Sequence, residues 1–221
     1  MRPDTIKIEV ENSLKNLRTD YIDLLQCHKP AIPREDTPIP ETMGCLMNLK
    51  DQGKIRAIGV SNVSLDQFMT YDSVGELSSN QFRYSMLHRD RQEDILAYAA
   101  KHDIATLTYW SLEAGLLAGK INLERVFEKN DFRNHAAQWH PWYKKENIER
   151  LLDVFVKWSD ILNRHECTLS QLVIAWTAAQ PGASHVLCGA KTAAQSEQNA
   201  AAGSLVLEPV SYTHLPLPTK A

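Results

Sequence analysis

Two regimes of hydrophobic patterning alternate along the chain. Short, continuous apolar runs of strand length recur, separated by stretches in which apolar residues return every three to four positions. Tyr21 to Gln26 reads as a buried strand, and Ile55 to Val60 as a second, short and β-branched. Leu77 to Gln81 is a weaker third, Ile104 to Trp110 a clear fourth and Ala183 to Cys188 the last. After the first strand a helix is expected with Thr37 as its cap, Pro38 in its first turn and Gly53 at its exit. Ser64 with Gln67, and Thr168 with Gln171, have the spacing of a capping box, and Thr192 with Gln195 caps the last helix. Gln92 to His102 reads as an alanine-rich helix, and Ile148, Leu151, Leu152, Phe155, Trp158 and Leu162 form one helical face. Leu112 to Gln138 is loop-like, with short helical pieces.

Strands separated by helices imply βαβ units and a parallel sheet, either doubly wound or closed into a barrel. Neither the G-x-G-x-x-G nor the G-x-x-x-x-G-K-[ST] phosphate loop is present, which weakens the doubly wound nucleotide-binding reading. The length of 221 residues suits one substantial α/β core. A hydrophobic fraction of 43% and a mean hydropathy of -0.34 fit a globular protein. No apolar run approaches the roughly 20 residues that span a bilayer, and Met1 to Thr5 lack the apolar core of a signal peptide. A cytoplasmic location is therefore expected, with no membrane partner. The net charge of -3 carries no basic block, which argues against a nucleic-acid surface. Cys27, Cys45, Cys167 and Cys188 are far apart and contain no C-x-x-C pair, so all four read as reduced thiols.

Candidate chemistry gathers where the strands end. Gln26-Cys27-His28, Ser61-Asn62, Asn80-Gln81, Tyr109-Trp110-Ser111 and Gly189-Ala190-Lys191-Thr192 are all polar strand exits. In parallel α/β proteins ligands gather at that end of the sheet. Any one exit could be polar for solvation alone; five together point to a shared mouth. Gly189 to Thr192 opens a helix whose free N–H groups, with Lys191, suit an anion such as phosphate. The same residues also fit a plain capped helix with a solvated lysine. Cys27 and His28, adjacent on a strand, point to opposite faces and make a poor nucleophilic pair. His135 and His140 have no usual metal spacing and read as surface histidines, so no metal site is expected. Glu41, Glu93 and Glu113 form no glycosidase carboxylate pattern.

Several segments carry a family resemblance. Thr19-Asp20-Tyr21-Ile22-Asp23-Leu24 with His28-Lys29-Pro30 resembles the fourth-strand region of aldo-keto reductases. Gly53-Lys54-Ile55-Arg56-Ala57-Ile58-Gly59-Val60-Ser61-Asn62 is similar to that family's most recognisable motif. Tyr109 to Leu112 with Gly115 to Lys120 resembles its seventh-strand loop, and Gln180-Pro181-Gly182 with Gly189 through Asn199 its C-terminal cofactor segment. Asp131-Phe132-Arg133-Asn134-His135 is similar to the bacterial branch that includes general-stress and inositol-cluster reductases. The match runs from about Pro3 to Leu207.

The resemblance implies a TIM barrel, NADPH and reversible reduction of aldehydes or ketones, with a small carbonyl compound as substrate. It assigns His28 to the catalytic histidine that orients the substrate carbonyl. Ser61, Asn62 and Gln81 would hold the nicotinamide carboxamide, with Tyr109 stacked on its ring. Ser111 and Leu112 would approach the pyrophosphate. Gly189 belongs to the cofactor segment, where Lys191 and Thr192 would meet the 2′-phosphate and Gln195, Gln198 and Asn199 the adenine. The family's other catalytic members, an Asp, an acidic Tyr and a Lys, belong to its first three strands.

The fold expectation is accordingly an incomplete (β/α)8 barrel, with strands 4 to 8 and their helices present and the first three strands missing. Residues 1–208 would form that partial barrel. Residues 209–221, whose composition changes abruptly after Glu208, would be a non-native tail. Such a chain is expected to turn over little substrate. Two rivals remain: a non-catalytic NADPH-binding regulatory subunit of the same fold, and an unrelated metal-using TIM barrel.

Overall fold

The computed structural model describes residues 2–30 and 37–208; the tail expected at 209–221 lies outside them. Five strands, β1 (Ile22–Cys27), β2 (Ile55–Ser61), β3 (Ser79–Arg83), β4 (Ala105–Tyr109) and β5 (His185–Val186), hydrogen-bond in chain order. β1 pairs in parallel with β2 from Ile22↔Ile55 to Cys27↔Val60, and β2 with β3 from Gly59↔Ser79 to Ser61↔Gln81.

Eight helices accompany them among the described residues: α1 (Pro3–Leu17), α2 (Ile39–Asp51), α3 (Leu65–Val74), α4 (Ala97–Lys101), α5 (Lys145–Lys157), α6 (Ser159–Arg164), α7 (Leu169–Ala178) and α8 (Ala193–Ala201). Pro3 sits in the first turn of α1, and Ile6, Val10 and Leu14 bury one stripe at four-residue spacing. Ser64 and Thr168 make the full reciprocal capping boxes with Gln67 and Gln171. Thr192 accepts from the Gln195 amide, but the Gln195 side chain accepts from Lys191 N at 2.7 Å, so that box is displaced by one residue. Thr37 is not the cap of α2: Pro38 takes that place and the helix starts at Ile39. Gly53 does serve the exit, at φ 74.

The expectation of a barrel lacking its first three strands is corrected. The chain has a TIM-barrel-like α/β fold built on five parallel strands. The expectation rested on matching the chain's motifs to the family's fourth to eighth strands; the observed sheet has terminal strands that are short or carry exposed charge. β5 is only two residues long, and β1 presents exposed Asp23, paired with Arg56 at 3.0 Å.

The chain divides into two compact units. The first comprises Met1–Phe82, Asp90–Leu107 and Pro181–His185; the second comprises Arg83–Arg89, Thr108–Gln180 and Val186–Ala221. The core of the first unit is apolar: Met43, Leu46, Ile58, Val60, Phe68, Ile95 and Leu96 are all but inaccessible, and Phe68 meets Tyr98 edge-to-face at 5.0 Å. The second unit packs Leu117, Leu151, Trp158, Leu172 and Val173, and also buries Glu113, His140, Asn147 and Thr177.

Candidate functional site

In the first unit the polar strand ends form a linked set. The Asn62 backbone N–H donates to Gln81 O at 3.0 Å, and its side-chain amide donates to His28 O at 3.0 Å and to Ser61 Oγ at 2.9 Å. Asn62 adopts the left-handed backbone (φ 57) that turns its side chain back toward these partners, a conformation asparagine tolerates better than most residues. Gln26 Nε2 donates to Gln81 Oε1 at 3.0 Å. Gly59 lies between them: a Cβ there would collide with Ser79 Oγ and come within 2.7 Å of Gln26 Cγ. Gln26 Oε1, Ser79 Oγ and both side-chain polar atoms of Asn80 are buried without a partner among the described residues. Such atoms are costly unless a ligand or water engages them. His28 is exposed, whereas its neighbour Cys27 is buried, and burial pushes the Cys27 thiol up to about 11. That separation keeps the two from acting as a nucleophilic pair. All four cysteines are free.

The second unit contains a cavity of about 1140 Å³. Eight of the residues expected at a cofactor line it: Tyr109, Ser111, Leu112, Gly189, Lys191, Gln195, Gln198 and Asn199. Thr192 is not on its wall; it caps α8. The α8 N-terminus is exposed, and Gly189 faces open space, so its backbone is free for close approach. Asn199 Nδ2 holds Gly189 O at 3.3 Å.

The cavity also gathers residues the sequence reading did not single out. Lys120, Arg125 and Arg133 join Lys191 against only two carboxylates, Glu128 and Asp131, which makes an anion-favouring wall in a chain of net charge -3. Arg133 grips Asp131 through Nε at 2.8 Å and Nη2 at 2.5 Å while packing over Phe127 at 4.4 Å. The Arg133 hydrogen bonds, with a smaller contribution from Lys191, hold the Asp131 carboxyl well below the usual carboxylate range.

A buried charge cluster stands beside this wall. Glu113, fully inaccessible, accepts from Ser85 Oγ at 2.5 Å, from His140 Nε2 at 2.8 Å and from Arg83 Nη2. Burial pushes its carboxyl up, but the three donors outweigh burial and leave it lowered. A carboxylate at 2.8 Å requires His140 Nε2 to carry the proton, so the 3.1 Å approach of Arg83 to the same nitrogen is a contact rather than a hydrogen bond. His140 is thus buried, contrary to the surface position expected; His135 is exposed as expected. A glutamate inside the run Leu112 to Leu117 was the available signal, since a charge amid apolar neighbours needs partners.

The chain was compared with known proteins. The aldo/keto reductase family profile matches residues 1–215. The NADH-specific methylglyoxal reductase of Escherichia coli K12 is 34% identical over 213 residues, covering 96% of this chain and 64% of the relative. Aldo-keto reductase YhdN of Bacillus subtilis is 42% identical over 191 residues, covering 86% of this chain and 55% of the relative. The chain therefore spans less than two thirds of the length of these relatives. The solved glycerol dehydrogenase AKR11B4 of Gluconobacter oxydans superposes with a TM-score of 0.80 at 32% identity, covering 98% of this chain and 66% of that one. The likeness runs through nearly the whole chain, in keeping with the five-stranded, TIM-barrel-like fold described above. The chain belongs to the aldo/keto reductase family.

Proposed function

We propose that this chain binds NADPH as part of an oxidoreductase that reduces aldehydes or ketones to alcohols. The cationic cavity of the second unit carries the reading. Its 1140 Å³ exceeds the roughly 300–1,000 Å³ usual for drug-sized ligands and leaves room for a dinucleotide. The donor set fits a phosphorylated cofactor: an exposed lysine ahead of a helix N-terminus, a glycine backbone in open space, and amide side chains on α8. Lys191 and Thr192 are assigned to the 2′-phosphate, Gln195, Gln198 and Asn199 to the adenine side, and Ser111, Leu112 and Gly189 to the phosphate bridge. Tyr109 offers a ring face for the nicotinamide.

In the first unit, the resemblance assigns Ser61, Asn62 and Gln81 to the carboxamide and His28 to orienting the carbonyl oxygen. Gln26 Oε1 and Ser79 Oγ, partnerless beside Gly59, supply hydrogen-bonding capacity of the kind such a role needs. When bound, the nicotinamide supplies the hydride that reduces the carbonyl carbon. The chain's own contribution is to bind, to orient and to polarise. The Asp, Tyr and Lys of the family's catalytic set have no counterpart among the matched motifs. The chain by itself is therefore proposed to bind cofactor yet show little or no NADPH-dependent reduction of 4-nitrobenzaldehyde. The Asp131 to His135 motif supports placement in the bacterial general-stress and inositol-cluster branch.

One of the relatives is named as NADH-specific, so the choice of cofactor is the point to test. Lys191→Ala is expected to weaken NADPH binding about tenfold, the loss of one charge-assisted contact. NADH binding, measured by the same fluorescence titration, should change less than about twofold. Equal losses for the two cofactors, or none, would remove the 2′-phosphate assignment.

A further inference from the structure

The buried cluster around Glu113 is used by none of the roles assigned above. From Tyr109 to Gly115, six of seven consecutive residues line the cavity: Tyr109, Trp110, Ser111, Leu112, Ala114 and Gly115. The exception is Glu113, whose side chain turns away into the core and is fully inaccessible. Four residues of this stretch hold the left-handed backbone: Trp110 at φ 60, Glu113 at 45, Ala114 at 53 and Gly115 at 99. Three of them are not glycine, and such a run persists only where its surroundings impose it.

Those surroundings grip the stretch twice over. Arg83 hydrogen-bonds to the Glu113 carboxylate and lies 4.7 Å over the Trp110 ring. His140 donates to the same carboxylate at 2.8 Å and stacks on the same Trp110 ring, at 5.8 Å and 12°. Each basic residue thus ties the buried carboxylate to an indole that faces the cavity. Ser85 adds a third bond to Glu113 at 2.5 Å, and Tyr143 Oη fixes the Ala114 carbonyl at 2.9 Å. Arg83 and Ser85 both lie in the segment Arg83–Arg89, so the clamp ties the loop to a second segment of the same unit.

We propose that Glu113 is a positioning residue: with Arg83 and His140 it sets the backbone of residues 109–115, and so the shape of the cavity wall that receives the cofactor. The cofactor half of this inference rests on the function proposed above; the clamp itself does not. Removing the carboxylate's charge frees Arg83 and His140 together, so Trp110 loses both braces at once. Contacts at the α8 end of the cavity, which belong to a different segment, keep their geometry.

The test uses the whole chain and three probes. In Glu113→Gln, hydrogen exchange at the amides of residues 110–117 should quicken at least about tenfold while α7 keeps its protection. NADPH affinity should fall about tenfold, whereas adenosine 2′,5′-bisphosphate, which lacks the pyrophosphate bridge and nicotinamide, should bind within about twofold of the parent chain. A merely structural role would weaken both ligands and expose α7 alike. His140→Phe keeps a ring against Trp110 but removes one bond to Glu113; it should shift exchange in the same direction by less, and it serves if Glu113→Gln does not fold. Unchanged exchange at 110–117 in a folded variant would overturn the clamp. Failure of the parent chain to bind either ligand would instead overturn the cofactor reading, with exchange still deciding the clamp.

Discussion

The two compact units reach order by opposite means. The first rests on an apolar core in which Met43, Ile58, Phe68 and Leu96 are inaccessible, and its polar strand ends satisfy one another only in part, leaving Gln26 Oε1, Ser79 Oγ and the Asn80 side chain without a partner among the described residues. The second buries a charged group at its centre and builds much of its cavity wall from short 3-10 turns, Glu113–Ala118 and Phe132–Gln138, rather than from long elements. Burial of apolar surface is tolerant of exact geometry, whereas a buried carboxylate with three donors is not. The difference lies in how much exact geometry each requires: the first unit is held mainly by apolar burial, and the second by a buried carboxylate bonded to a cavity-lining loop's own surroundings.

The comparison can be broken most directly at Glu113. Glu113→Ala leaves Arg83 and His140 without their buried acceptor and should cost about 4 kcal/mol in urea unfolding. The cost should depend on pH. Because the folded carboxyl lies below its unfolded value, its contribution is complete above the unfolded glutamate pKa of about 4.3 and is lost as pH falls through the lowered folded value. The gap between parent and variant should therefore close on acidification; a gap that stays constant with pH would mean that the carboxylate's charge is not what stabilises the loop.

A core deletion in the first unit provides the contrast. Phe68→Ala removes a fully buried ring that packs on Tyr98 and should cost about 3 kcal/mol, with no closing of the gap in acid. The smallest effect belongs to a local device. Thr168→Ala deletes the side-chain half of the capping box at α7 and should cost about 1 kcal/mol. A calorimetric midpoint lowered as much as by Phe68→Ala would show that this cap carries tertiary weight as well.

Elements with strong local signals were legible in the sequence. The strand expected at Ile55 to Val60 forms over Ile55–Ser61, the one at Ile104 to Trp110 over Ala105–Tyr109, and both complete capping boxes lie where Ser64 and Thr168 place them. The third strand lies two residues later than expected, at Ser79–Arg83, because its core-facing positions include Ser79 and Asn80, which apolar patterning passes over. The fifth contracts from Ala183–Cys188 to His185–Val186, its flanks being held by side chains: Thr106 bonds Gly182 O at 2.6 Å and Ser184 at 2.9 Å. The expected helix at Gln92 to His102 begins as a π-helical turn over Gln92–Leu96, and the apolar face from Ile148 to Leu162 is split between α5 and α6 at Trp158.

The site divides in the same way. The residues given by motif resemblance fall into a linked set in the first unit and a shared cavity wall in the second. What patterning could not give is pairwise and long-range: Arg83 and His140 lie 30 and 27 positions from the Glu113 carboxylate they bond, and nothing local announces that a histidine after Trp139 is buried. The incomplete-barrel expectation failed for a different reason: it came from matching motifs to the family's fourth to eighth strands, which the patterning of this chain does not itself establish.

The proposed occupant of the second unit's cavity is a phosphorylated nicotinamide cofactor. Thermal unfolding of the purified chain with and without saturating NADPH tests it most directly, because a ligand that binds only the folded state must raise its stability, by about 2.7 kcal/mol at a hundred times Kd. The account predicts a cooperative transition whose midpoint climbs with NADPH concentration and climbs less in Lys191→Ala. A midpoint unmoved by NADPH at millimolar concentration would contradict it.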